Sequence, residues 1–139
     1  MNGVARAEVA APSLFLAFDF GTKRIGVASG NSVTRTATVL TTLAQVGDDA
    51  RFAAIGQLIT EWQPAALVVG VPRHPDGAPH DNTRRAERFA RQLRGRFSLT
   101  VHEVDERYTS TEALAAGATD VDAASAALIL EQFFNEHPT

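Results

Sequence analysis

The chain reads as an α/β protein. The expected architecture is a mixed five-stranded sheet, its first three strands antiparallel, with helices on both faces, in the order βββαβαβαα. Three observations predict this. Three short strand-type segments come first, with no helical pattern between them. Two further strand-type segments then alternate with helical ones, the mark of crossover units. One of these, Ala66–Val71 (ALVVGV), is apolar without interruption, as a central strand covered on both faces must be.

The elements follow in order. Strand one is Leu14–Phe20 and strand two Ile25–Ser29, joined by a glycine turn whose spacing suits a hairpin. Thr36–Thr41 (TATVLT) is β-branched and short, a third strand. Asp48 or Asp49 can cap a helix running to Trp62, with Phe52, Ile55, Leu58 and Ile59 on one side and Pro64 as its stop. After the strand Ala66–Val71, the loop PRHPDGAPHDN carries three prolines and an Asp-Gly turn signal. The helix Thr83–Arg94 is the most clearly amphipathic. Arg84, Arg88 and Arg91 fall at i, i+4 and i+7, opposite Ala86, Phe89, Ala90 and Leu93. Leu99–Asp105 is the fifth strand. Thr109 or Ser110 caps a short helix ending at Gly117, and Thr119 or Asp120 caps a last helix, Val121–Asn135, apolar almost all round and therefore buried.

At 139 residues, 45% apolar and 21% charged, the chain suits one soluble domain with a core of its own. Residues 1–12 read as a flexible leader and 13–139 as the domain. With no cysteine, disulfides, thiolate metal sites and a cysteine nucleophile are excluded. The N-terminus has no secretory-type apolar stretch, and Asp19 breaks the next apolar run. No signal peptide or membrane span is therefore expected, and the cytoplasm is the default. Net charge is −3, yet six of the 13 basic residues lie between Arg84 and Arg96, and one of the 13 is a lysine. A local arginine field on an acidic protein is compatible with phosphate recognition.

Four carboxylates draw attention. Asp19 ends strand one, Asp105 and Glu106 end strand five, and Asp122 lies in the first turn of the last helix. With strand one central, two strand ends and a helix start can converge at one edge of the sheet. Convergent acids without His or Cys prefer a hard cation, Mg²⁺ or Mn²⁺. Two such ions suit in-line displacement at phosphorus. Singly, each acid has a plainer role: a turn residue at Asp19, loop acids at Asp105 and Glu106, and a helix-dipole partner at Asp122.

The blocks FDFGTKRIGVA, VVGVPRHPDG, VDERYTSTEA and VDAASAALILEQFF resemble, in order and spacing, the YqgF/RuvX family of RNase H-like nucleases. The family is also described as Holliday junction resolvases, and the resemblance spans Leu14 to Phe134. It implies an RNase H-like fold and a divalent-metal phosphodiesterase, with active-site acids at Asp19, at the Asp105–Glu106 pair and at Asp122. Strand alternation puts Asp105 and Glu106 on opposite faces, so one of the two is the ligand, and the choice leans to Glu106. The resemblance also implies maturation of the 5′ end of pre-16S rRNA.

Lys23 and Arg24, directly behind the first acid, and Arg107, beside Glu106, are candidates for phosphate contact, and the Arg84/Arg88/Arg91 face is a candidate nucleic-acid track. His74, His80 and His102 show no metal-ligand spacing. Partners expected are structured RNA or branched DNA, and ribosomal precursor particles, with no membrane. Two other nucleic-acid functions compete with rRNA processing: resolution of four-way junctions, which needs a homodimer where RNA processing suits a monomer, and a non-catalytic ribosome-assembly role. DFGT before a basic residue also resembles the phosphate loop of actin-like ATPases, but those folds close two such domains on ATP and 139 residues supply one.

Overall fold

The computed structural model describes residues 13–21, 24–44, 47–73, 76, 78, 82–105 and 121–137. Its strands are β1 (Leu14–Phe20), β2 (Arg24–Asn31), β3 (Thr36–Ala44), β4 (Ala66–Val71) and β5 (Thr100–Asp105). The helices are α1 (Asp48–Trp62), α2 (Thr83–Phe97) and α3 (Val121–Glu136). The sheet order is β3-β2-β1-β4-β5. β1, β2 and β3 pair antiparallel, while β4 pairs parallel with both β1 and β5. β1 is therefore central, as expected. The expected leader, Lys23, Glu106, Arg107, much of the loop after β4, the short helix after Thr109 or Ser110 and the cap at Thr119 or Asp120 lie outside the described residues.

Strand alternation divides the apolar residues between two cores. Leu16, Phe18, Ile25, Val27, Leu67, Val69 and Val101 face α1 and α2, where Phe52, Ile55, Phe89 and Leu93 close over them. Ala17, Val68 and Val104 face α3, which covers them with Ile129, Leu130, Phe133 and Phe134. The uninterrupted run in β4 is thus buried on both sides, as a strand between two helical layers must be.

Several boundaries differ from expectation for identifiable reasons. β2 and β3 run longer because each pairs with the other across Asn31–Arg35. There the Asn31 side-chain oxygen accepts from the Val33 and Thr34 amides, and Arg35 adopts a left-handed φ of 57°. Gly47 caps α1 without a side-chain hydrogen bond. Asp48 and Asp49 occupy the first turn instead, where the helix dipole favours acids, and Asp48 pairs with Arg51. α2 continues a turn past Arg94, because Phe97 joins the core of the α1/α2 face and Ser98 supplies the left-handed C-cap. Among the described residues no helix is long and apolar enough to cross a membrane.

Candidate active site

Parallel pairing brings the carboxyl ends of β1, β4 and β5 to one edge, the edge at which open α/β sheets hold their ligands. Asp19 lies there, half-buried, on the α3 face of the central strand. Its register partners are Gly26 on β2 and Gly70 on β4. Both lateral neighbours lack side chains, so no side chain of β2 or β4 stands directly beside the carboxylate, and both glycines are themselves buried. The turn behind it is tight. The Gly21 amide donates to the Arg24 carbonyl at 2.9 Å, and a Cβ on Gly21 would sit 2.6 Å from that oxygen. Glycine is required there by close approach.

Asp105 lies elsewhere. Val104 belongs to the α3 face, so Asp105, one residue on, belongs to the α1/α2 face with its neighbour Glu103. Glu103 pairs with Arg94 of α2 at 3.0 Å. The Asp105 carbonyl accepts from the Gln132 amide of α3 at 2.8 Å, which ties the end of β5 to that helix. Asp19 and Asp105 are thus separated by the sheet itself. Asp122 is placed in the first turn of α3. Among the described residues no three His, Cys, Asp or Glu side chains group to hold a metal ion.

Of the basic candidates, Arg24 is exposed at the hairpin, and Arg84, Arg88 and Arg91 are exposed on α2. Arg88 does not act alone. With Arg85 it lines a recess against Phe20, together with Arg51 of α1. Nothing in the sequence marks Arg51 for this. Three residues after Asp48, it reads as half of a surface ion pair, and only the fold brings α1 against α2. His102 faces α3, its ring 4.7 Å from that of Phe133. No metal-ligand role is suggested.

The model of the RuvX family, described as Holliday junction resolvase, matches residues 13–136. The chain belongs to that family. A protein of Polaromonas sp. strain JS666 named "Putative pre-16S rRNA nuclease" is 66% identical over 124 residues, 89% of each chain. A protein of the same name from Burkholderia thailandensis is 52% identical over 138 residues, 95% of this chain and 94% of the relative. Among solved structures, RuvC of T. thermophilus in complex with a Holliday junction substrate aligns with a TM-score of 0.56 at 13% identity, over 89% of this chain and 94% of that one. That likeness is one of fold, and the RNase H-like architecture expected of RuvX proteins is the one observed.

Proposed function

We propose that this RuvX-family chain is a divalent-metal-dependent nuclease that processes the 5′ end of pre-16S rRNA. The position of Asp19 carries the reading: a carboxylate on the central strand, at the ligand-binding edge, flanked on both neighbouring strands by glycines. Relatives more than half identical over nearly the whole chain bear the corresponding name.

The ligands assigned are Asp19, Glu106 and Asp122. Asp105 is set aside because it faces the α1/α2 side, which leaves Glu106 as the ligand taken from that pair. The terminal residues of α3, Phe133 and Phe134, contact Phe15 near the start of β1. At 1.5 Å per residue the first turn of α3 therefore lies toward the opposite end of β1, that of Asp19. An all-oxygen donor set of this kind fits Mg²⁺ or Mn²⁺. Such ions, when bound, neutralise charge at the phosphodiester and acidify the attacking water. The chain's own carboxylates hold and orient them, and Lys23, Arg24 and Arg107 steady the phosphates flanking the reacting one.

Cleavage of an RNA spanning the 5′ leader of pre-16S rRNA, set against a synthetic four-way DNA junction in Mn²⁺ and in Mg²⁺, tests this. The RNA should be cut. Asp19→Asn should lower the rate by more than about a hundredfold, since even the outer partners of metal ligands are worth about 10–100-fold. Binding should be largely kept. Paired symmetric cuts in the junction alone would instead mean a resolvase acting as a dimer. Binding without Asp19-dependent cleavage of either would mean a non-catalytic assembly factor.

A further inference from the structure

At the end of β1, but on the face opposite Asp19, the N-terminal halves of α1 and α2 enclose a recess of about 230 Å³ lined by Phe20, Asp48, Arg51, Arg85, Arg88 and Gln92. Its floor is cationic. The Arg51 guanidinium lies over the rings of Phe52, Phe89 and Phe20, at 5.0, 5.7 and 5.8 Å from their centres. Its side chain is only 11% exposed. Three aromatic faces and the Asp48 carboxylate fix the orientation of that group and hold it partly out of water, where a charge acts more strongly. Arg85 and Arg88, three apart on α2, project from one face of the helix over the same recess. Asp48 is the one carboxylate among the six lining residues, so three guanidinium groups face a single negative charge. Like charges gathered this closely repel one another, and an anion between them relieves the repulsion.

We infer that this recess binds a backbone phosphate of the nucleic acid, next along the strand from the linkage cleaved at Asp19. The inference rests on the nuclease reading above and adds a register-setting subsite to it. Phe20 follows Asp19 directly, so a strand crossing the carboxyl end of β1 meets the Asp19 face on one side and the arginine recess on the other. Phosphate contacts carry no base information; they position the chain. Here they set which linkage lies over Asp19. The inference also divides the arginine stripe of α2: Arg88, with Arg85, belongs to the subsite, whereas Arg84 and Arg91 lie outside the recess.

The test measures binding of the full chain carrying Asp19→Asn, so that no cleavage is needed. The probes are a fluorescein-labelled RNA of the pre-16S 5′ leader and a labelled four-way DNA junction. Arg85→Ala with Arg88→Ala is compared with Arg84→Ala with Arg91→Ala, which removes the same charge. Arg51 is left in place because it packs on three rings. The recess pair should weaken binding at least tenfold and lower the salt slope by about 0.7–0.9 units, the value of one phosphate contact. The other pair should lower the slope by less than half as much. Single neutral methylphosphonate linkages walked along the better probe should then reveal a position at which the recess pair costs nothing further. Equal effects of the two pairs, absence of any such position, or no binding of either probe would each overturn the inference. Because binding alone is read, loss of the nuclease reading in the cleavage assay leaves this outcome separately legible.

Discussion

His102 stands on β5 with its ring against Phe133 and near His137 of α3. Burial, then the charges of His137 and of Arg94, hold its imidazole below the ordinary value of 6.5. The folded protein therefore resists a proton that the unfolded chain accepts. Stability from this group is complete above about 6.5, falls as the pH drops from there toward the lower folded value, and levels off beneath it. Urea midpoints taken at pH 7.5, 6.5 and 5.5 should decline in that order. His102→Phe, which keeps a ring against Phe133, should flatten the decline; an unchanged slope in that variant would show that another group sets it. The same scale explains what could be read of the site beforehand. Asp19 was legible because an apolar run, an acid and a glycine turn are all local. That alternation along the strand sends successive residues to opposite faces was also legible, since parity is local. That Asp19 and Asp105 lie on different faces was not, because it depends on the pairing of β1 with β4 and of β4 with β5. The role of Arg51 was hidden for the same reason: its partners Phe20 and Phe89 are 31 and 38 positions away in sequence.

Elements with a strong internal pattern matched the sequence reading closely. β1 and β4 have the expected bounds, and α1 ends at Trp62, before Pro64. Where a boundary moved, a distant contact moved it: Phe97 drew α2 a turn further into the core, and mutual pairing lengthened β2 and β3. Glycines show how far element and context can diverge. A Cβ on Gly30 of β2 would lie 2.5 Å from Leu130 Cδ2, 2.8 Å from the Thr36 carbonyl oxygen and 3.1 Å from the Phe134 ring. The strand needs glycine there because α3 and β3 both close on it. Gly30→Ala should therefore destabilise the fold by about 1–3 kcal/mol, the ordinary cost of overpacking. A Cβ on Gly95 of α2 would meet nothing within 4 Å. Gly95→Ala should stabilise by about 0.5–1 kcal/mol through helix propensity alone. Denaturant melts of the two variants should move in opposite directions; a shift of the same sign in both would sink the packing account of Gly30.

At the scale of the whole molecule, β1 is the shared wall of two cores. Leu16 and Phe18 face one helical layer and Ala17 the other, and both edges of the strand are hydrogen-bonded, to β2 and to β4. A strand fixed on both edges and both faces has little freedom to shift as a body, which is what the role proposed for Asp19 requires. This rigidity can be measured. Ile55 of α1 and Ile129 of α3 are each fully buried, in different layers. Ile55→Val and Ile129→Val should each cost about 0.5–1.5 kcal/mol. The two residues belong to separate clusters on opposite faces of the sheet and share no partner, the situation in which substitutions normally add. Their double variant should lose the sum of the single losses to within about 0.5 kcal/mol. A coupling above about 1 kcal/mol would mean that β1 yields to a defect on one side and passes it to the other. Asp19 would then ride on a strand that either layer can displace, and stability variants in α1 would be expected to change catalysis on the opposite face. Additivity would instead confine such effects to the layer in which they arise, and leave the α3 face of β1 as the part of the fold on which the proposed chemistry depends.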